Sequence, residues 1–481
     1  MNAASFKAGY LPGLHDDEVM WHRWHVGTLQ VDLPQLSDAQ MTALAHRVQK
    51  ASRSHLKTMS VSDIVRVLDQ ATARLLDPRD PYRQALERLL PQVTGFDAEM
   101  VRLNLNAYLQ TFRGLQLQRF VTEDFANPKV LDEFQPRTQG GWSKAFGPEL
   151  LVHVWAGNVP ALPMWSFVSG LLVKSACIGK VSSAEPVFAT LLAQLLAEVE
   201  PRWADCFAVV WWPSAAAHER TAFALADVVL AYGGNAALQA MQAQVPVTTR
   251  FLPHGHKLSF AMVSAAALSV HKTPHVARQA ASDVARHDQQ GCYSPHVFYV
   301  QRGGAVTPQD FAQQLASALA NLQHKLPRRD LSLEEAAQVG AWREAHELTS
   351  LNDATHVVLG HAGEQSTVVF SERALPLTAG PLNRHVLVVA VDTLDEVVPL
   401  IAPQRDHLQT VGLAAAPEEL LSLAECLGQA GVTRVCALGA MTSPEAGWHH
   451  DGRFSLLDLV RMVDIEASTE REAERFTSYE V

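Results

Sequence analysis

The chain has 481 residues, 48% of them apolar and 19% charged, with a formal net charge of −11. At roughly 100–200 residues per domain, that length accommodates two to four domains with sizeable cores. The acidic balance and the lack of any Lys/Arg run argue against a nucleic-acid binder, so an anionic ligand would have to meet a local basic pocket.

Cys177, Cys206, Cys292, Cys426 and Cys436 are odd in number and widely spaced, and no CxxC occurs. That pattern predicts free thiols in a reducing compartment. Residues 1–10 carry one Lys and no apolar core, so no signal peptide is expected. The apolar stretches near 161–173 and 260–270 are too short to cross a bilayer. The expectation is a cytoplasmic protein with no membrane span.

In chain order, residues 1–145 read as mostly helical. Apolar residues recur at i, i+3 and i+4 over 37–52, 61–76 and 82–90, with a break at 77–81. Residues 129–146 are polar and Gly-containing, which predicts a linker. From 151 the pattern changes to short apolar runs at 151–156, 176–181, 207–211, 228–232 and 258–263. Helical stretches separate the first four, which predicts βαβ units and a parallel sheet. A second set follows: a helix over 275–287, a strand at 297–300, a helix start at Thr307-Pro308 and a capping box at 332–335. Strands recur at 355–359, 367–370, 386–391 and 410–413, with a helix over 418–429. The fold class is therefore α/β with two parallel-sheet units and a boundary near 265–273. The charged stretch 464–481 reads as a mobile tail.

Several short motifs could carry chemistry. Cys292 lies in Asp288-Gln289-Gln290-Gly291-Cys292-Tyr293-Ser294-Pro295, a tight loop between a helix and a strand. A reactive thiol needs such an exposed, polarised position, although free cysteines are also commonly buried and inert. Ala156-Gly157-Asn158-Val159-Pro160 follows the first predicted strand. Asn158 could aim its amide at a ligand oxygen, or simply make a turn ahead of a proline. Lys180 ends the second predicted strand, where ligands of open α/β sheets bind, and a solvated Lys is the plain alternative. Tyr232-Gly233-Gly234-Asn235 follows the fourth, and glycines there let backbone approach a phosphate or merely form a turn. No GxGxxG occurs. With 21 histidines, the groups His254-Gly255-His256-Lys257 and His449-His450-Asp451-Gly452 are expected by chance. No HExxH or Cys/His finger spacing is present, so no metal site is expected.

The order of these pieces is more informative than any one of them. Strand-AGNVP, strand-Lys, strand-GGN and a cysteine loop leading into a second α/β unit resemble the aldehyde dehydrogenase superfamily from about residue 100 to 460. The closer resemblance is to the long-chain fatty acyl-CoA reductases, which include the reductase subunit of the bacterial luminescence fatty-acid reductase. It rests on Gly157-Asn158-Val159-Pro160, Gly233-Gly234-Asn235, the loop from Gln289 to Pro295, and a closing segment. That segment reads Arg434-Val435-Cys436-Ala437-Leu438-Gly439, then His450-Asp451-Gly452, then Asp458-Leu459-Val460-Arg461. The first 100 residues match only loosely.

The resemblance implies an NADPH-dependent reduction of a long-chain acyl thioester to the aldehyde, with NADH as the other candidate cofactor. Cys292 would be acylated, and Asn158 with the Cys292 N–H would hold the thioester oxygen. Lys180 would meet the adenosine ribose and its 2′-phosphate. Pro160, Gly233, Gly234 and Asn235 would line the pyrophosphate and nicotinamide. It also implies a domain plan: 1–145 as the helical part of a cofactor domain, 146–268 as its Rossmann-like core, 269–440 as the catalytic domain and 441–481 as a C-terminal segment. The acyl donor would be acyl-CoA, a carrier protein or a partner acyl-protein synthetase, and the enzyme a homo-oligomer.

Two departures bear on direction. Aldehyde-oxidising members carry a water-activating Glu in an ELGGK-like motif; here the stretch is Pro253-His254-Gly255-His256-Lys257, and no Glu occurs between Glu219 and Glu334. The later ExFGP-like motif corresponds to Leu377-Thr378-Ala379-Gly380-Pro381, without an acid. Lacking that base, a thioacyl enzyme should persist until reduced, with His254 or His256 as candidate proton donor. The rival readings are a CoA-acylating dehydrogenase for a shorter aldehyde, a glutamyl-phosphate-type reductase and a non-catalytic acyl-binding subunit.

Overall fold

A computed structural model describes residues 5–213, 217–361 and 363–477. The chain forms two compact units. The first comprises Met1–Thr94, Leu105–Gly255 and Glu445–Val481; the second comprises Gly95–Asn104 and His256–Pro444.

The first unit is built on five parallel strands: β1 (Leu150–Val154), β2 (Ala176–Lys180), β3 (Phe207–Val210), β4 (Val228–Tyr232) and β5 (Arg250–His254). Their order is β5-β4-β1-β2-β3. Four of the five are buried almost throughout, β3 and β4 as unbroken apolar runs, as expected when helices cover both faces of a parallel sheet. Helix α1 (Asp38–Ser54) starts at Ser37, whose side chain and that of Gln40 close a capping box. Its Met41, Leu44 and Val48 join Val152, Ile178, Val210 and Val229 in one buried cluster. Each such side chain stabilises the fold by roughly 1.5–3 kcal/mol on burial. Helix α2 (Val61–Leu76) begins at a Ser60 cap. Crossover helices α3 (Pro163–Leu172) and α4 (Val187–Val199) link β1 to β2 and β2 to β3; every residue of α3 is buried. Chain direction across the sheet reverses between β1 and β4. The carboxyl ends of those two strands are the position where open α/β sheets bind ligands.

Two small sheets were not anticipated. Ser5–Lys7, Met20–Val26 and Leu29–Gln35 form one, so the first 145 residues are not purely helical. Met20–Val26 is largely exposed, and its Trp and His residues show no clean alternation. In the other sheet, Arg461–Ile465 pairs antiparallel with Trp142–Phe146, which pairs with Gln135–Pro136. The expected linker at 129–146 and the start of the expected tail are thus a strand pair. Asp132, accepting from Val61 N at 2.9 Å and Lys174 Nζ at 2.6 Å, anchors that segment.

The second unit carries seven strands: β6 (Leu258–Val263), β7 (Pro295–Gln301), β8 (His356–Leu359), β9 (Thr367–Ser371), β10 (His385–Val391), β11 (Leu408–Ala414) and β12 (Arg434–Ala437). They run in the order β8-β9-β10-β7-β6-β11-β12, all parallel except the β8–β9 pair. Period-2 alternation assigns the two faces. Ala261, Val263, Phe298 and Val300 pack with Val276 and Val284 of α5 (Thr273–Ala285) and Phe311 and Leu315 of α6 (Pro308–Gln323). Phe260, Met262, Val297 and Tyr299 pack on the other side with Leu423 and Leu427 of α7 (Leu420–Ala430).

The run at 258–263, expected to close the first sheet, lies between β7 and β11 in the second. The break between units accordingly falls at Gly255/His256. The strand that does close the first sheet is β5, which Pro253 and flanking polar residues disguise.

Candidate functional site

In the first unit, three of the motifs stand at the carboxyl ends of adjacent strands. After β1 the chain turns through Gly157, Asn158 and Pro160. The Trp155 backbone N–H donates to Lys180 O at 3.0 Å, and its indole N–H donates to Ser166 Oγ at 2.8 Å. A Cβ on Gly157 would stand 2.7 Å from Ser182 Oγ, so glycine lets the two neighbouring turns approach closely. Asn158 itself is exposed.

Lys180 ends β2 beside a cleft of about 670 Å³ that Ser182, Ser183, Trp24, His25 and Trp212 also line. Burial pulls the Lys180 ammonium pKa below its usual range, and the Glu219 carboxylate opposes that shift. After β4, Gly234 caps the helix Asn235–Gln242, with open space where a Cβ would stand. The sheet order therefore brings Gly157, Asn158, Pro160, Lys180, Gly233, Gly234 and Asn235 to one edge.

His254 ends β5 on that same edge, and here the structure joins motifs that the sequence reading had kept apart. His254 Nδ1 lies 2.8 Å from Asp451 Oδ2, with both side chains largely buried. The His254 ring stacks on Tyr232 at 4.8 Å and on His450 at 4.3 Å, with Trp448 against His450 at 4.7 Å. Arg250 holds the closing segment by donating to the carbonyls of Asp458 and Val460, and Asp124 accepts from the N–H groups of Leu456 and Leu457. The group His449-His450-Asp451 is thus not a chance cluster. The triplet His450-Asp451-Gly452 was the available signal. Ligand atoms of His254, His450 and Asp451 lie within 4.8 Å of one another. These three residues are a group that could hold a metal ion, although the sequence led to no such expectation.

Cys292 lies in the second unit, on the loop between α5 and β7, and is partly exposed. The loop is fixed from several directions. His287, Asp288 and Gln289 have φ of 50°, 49° and 65°, a left-handed run that is costly for residues with a Cβ. Asp288 is ion-paired with Arg384 at 2.7 Å and accepts from Arg329 N at 3.1 Å. Burial raises the Asp288 pKa, and the Arg384 guanidinium counters it. Gln289 Nε2 donates to Pro295 O at 2.8 Å, while its Oε1 accepts from His385 N at 2.8 Å. Ser259 Oγ donates to Cys292 O at 2.7 Å and accepts from Thr410 N at 3.1 Å. A Cβ on Gly291 would overlap the Tyr293 ring.

The other cysteines differ. Burial pushes the Cys206 thiol up to about 12 and Cys177 higher still, which suppresses their thiolates. Cys426 lies within α7 and Cys436 within β12.

His256 falls in the second unit, apart from His254. Burial, then the charge of His407, holds its pKa below the usual range, so it is neutral at pH 7. In the stretch 377–381, Gly380 N donates to His296 Nδ1 at 3.0 Å. No helix among the described residues is long and apolar enough to cross a membrane.

The architecture is that of the aldehyde dehydrogenases. It is similar to the NAD-dependent aldehyde dehydrogenase of Sinorhizobium meliloti at a TM-score of 0.73 and 15% identity, covering 97% of this chain and 96% of that one. The chain belongs to the acyl-CoA reductase (LuxC) family, whose sequence pattern matches residues 56–462, and it is an oxidoreductase. It is 28% identical to the long-chain acyl-protein thioester reductase of Aliivibrio fischeri, over 85% of this chain and 83% of the relative. It is 24% identical to the Vibrio harveyi protein of the same name, over 88% and 86%.

Proposed function

We propose that this chain reduces a long-chain acyl thioester to the aldehyde with NADPH, through a thioacyl enzyme on Cys292. The observation that carries the reading is the cysteine loop: a partly exposed thiol on backbone pinned by Ser259, Gln289 and Asp288. Rigid placement of a nucleophile is what covalent catalysis requires.

The Cys292 thiolate attacks the acyl carbonyl and the donor's thiolate departs, so the acyl group passes between sulfurs with no net proton change. Asn158 offers its amide to the acyl oxygen. When bound, the reduced nicotinamide supplies a hydride. The chain's residues fit such a cofactor. Gly234 leaves open space at a helix start, and Lys180 with Ser182 and Ser183 offers donors for a phosphorylated ribose in a cleft of about 670 Å³. No Glu occurs between Glu219 and Glu334, so the carboxylate that activates water in aldehyde-oxidising relatives has no counterpart in that stretch. The thioacyl enzyme then waits for reduction rather than hydrolysing.

The names of the relatives support a protein-bound acyl thioester and the family description acyl-CoA, while a partner acyl-protein synthetase is inferred from the family resemblance alone. None of the five cysteines forms a disulfide among the described residues, which favours a reducing, cytoplasmic setting. A homo-oligomer is inferred from the superfamily resemblance.

Intact mass after mixing with long-chain acyl-CoA tests the proposal. Wild type should gain one acyl group that NADPH discharges as aldehyde, and Cys292→Ala should gain none. An adduct that persists in Cys292→Ala, or no adduct from either CoA or carrier-protein thioester, would overturn it.

A further inference from the structure

We infer that Trp24 stacks on the adenine of the nicotinamide cofactor, so that a hairpin near the start of the chain completes the cofactor cleft. The inference deepens the cofactor reading proposed above and rests on it. Every residue concerned belongs to the first unit.

Strand pairing sets the direction of the side chain. In the antiparallel pair of Met20–Val26 with Leu29–Gln35, His22, Trp24 and Val26 stand opposite Leu33, Val31 and Leu29. Residues directly opposite share a face of the pair. Leu29, Val31 and Leu33 have no exposed surface, so this is the face turned to the body of the unit. The His22 ring, on that face, stacks on Trp211 just past the end of β3, at 5.1 Å and 10° between planes. Trp24 comes two residues further along, where the body gives way to the cleft of about 670 Å³. Its side chain is 44% exposed, an open position for an indole, which is usually well covered.

Trp211 ties this wall to the phosphate donors. Its indole N–H donates to Ser183 Oγ at 2.9 Å, and Ala184 N donates to Ser182 Oγ at 3.2 Å. Both bonds use the serine oxygens as acceptors and leave the hydroxyl hydrogens to donate outward. Lys180, Ser182 and Ser183 thus offer three donor groups to one phosphorylated ribose, in a cleft that no acidic residue lines among the described residues. The base carried by that ribose is flat and stacks on an aromatic face. Trp212 also lines the cleft but is 1% exposed, so its own faces are already covered. Trp24 supplies the open one. Stacking holds the base whatever the ribose carries, so Trp24 serves NADPH and NADH alike while Lys180 tells them apart. Trp24 lies ahead of residue 56, where the family pattern begins, and the family resemblance gives it no role.

Titration calorimetry of wild type, Trp24→Ala and Trp24→Phe with NADPH, NADH and adenosine 2′,5′-bisphosphate tests the inference. The bisphosphate carries the adenine and the phosphorylated ribose without the nicotinamide, so binding is read apart from turnover. Trp24→Ala should weaken all three by a common factor of at least about fivefold, and Trp24→Phe, which keeps a ring, should stay within about threefold of wild type. Wild-type affinity for the bisphosphate in Trp24→Ala would overturn the inference. So would a loss that spares NADH, which would place Trp24 at the phosphate, or equal losses in both variants, the mark of a disturbed hairpin. Failure of wild type to bind any of the three would sink the cofactor reading and this inference with it. Binding without an acyl adduct on Cys292 would sink the thioester reading and leave this inference standing.

Discussion

Asp288 and Arg384 form an ion pair at 2.7 Å in which neither side chain has any exposed surface. Each sits in a left-handed triplet, His287-Asp288-Gln289 and Leu382-Asn383-Arg384, with φ between 49° and 70°. Asn383 N donates to Asp288 O at 3.0 Å, tying the two together. Such backbone costs on the order of 1–3 kcal/mol per residue and persists only where its surroundings over-determine it. The pair fixes the approach to Cys292. Arg384→Met would leave a buried carboxylate unpaired, and the expected loss is about 3–5 kcal/mol in urea unfolding. Acylation of Cys292, measured well below the unfolding midpoint, should fall at least tenfold. A variant that keeps both stability and acylation would show the loop to be held by Ser259 and Gln289 alone.

Glu185 gives a pH signature. It is buried ahead of α4, and its Oε1 accepts from Val187 N and Phe188 N at 2.8 Å each. Burial raises its carboxyl to about 7, against the pull of those two bonds. The folded state therefore binds the proton more tightly than the unfolded chain. This contribution is fully present below the ordinary carboxyl range and is lost as pH rises toward 7. Glu185→Gln keeps the acceptor oxygen and removes the titration. Its stability between pH 5 and 7 should lack a decline on the order of 2 kcal/mol that wild type shows.

His153 acts in the opposite sense. It is fully buried in β1, and neither ring nitrogen has a hydrogen-bond partner among the described residues. Burial drops its pKa to about 3. The ring stays neutral in the fold but gains a proton in the unfolded chain below about pH 6.5. Its contribution is thus intact above that value and lost as pH falls through it. His153→Leu should be more stable than wild type, and the gap should widen by about 1 kcal/mol between pH 6 and pH 5. An unchanged gap would mean that a water or a protonated ring occupies the site.

Lys180 makes the cofactor preference measurable. Replacing it with Ala should weaken NADPH binding at least tenfold and NADH binding by much less, read by nucleotide fluorescence titration. Equal losses would assign Lys180 to the shared ribose rather than to the 2′-phosphate.

How much of this was legible in the sequence follows from where each element is buried. Strands sealed on both faces, such as Val228–Tyr232 and all but the first residue of His385–Val391, read as plain apolar runs. Two of the edge strands did not. Arg250–His254 and Arg434–Ala437 keep polar residues because only part of each faces a core. The run at 258–263 was seen but joined to the wrong sheet, since periodicity identifies a strand and says nothing of its neighbours. The glycine turns and the cysteine loop were visible because they punctuate elements. The contact of Asp451 with His254 was not, because it spans 197 residues and leaves no local pattern.

The first unit takes its last piece, Glu445–Val481, from the far side of an inserted second unit. On the ribosome, His254 is made long before Asp451; at roughly 5–20 residues per second the wait is on the order of ten to forty seconds. A chain cut short anywhere in the second unit or at its exit therefore has a nearly complete sheet but no Asp451 beside His254. Assembly of the first unit is thereby tied to synthesis of the segment that follows the second, and a chain cut short before it lacks the His254–Asp451 contact.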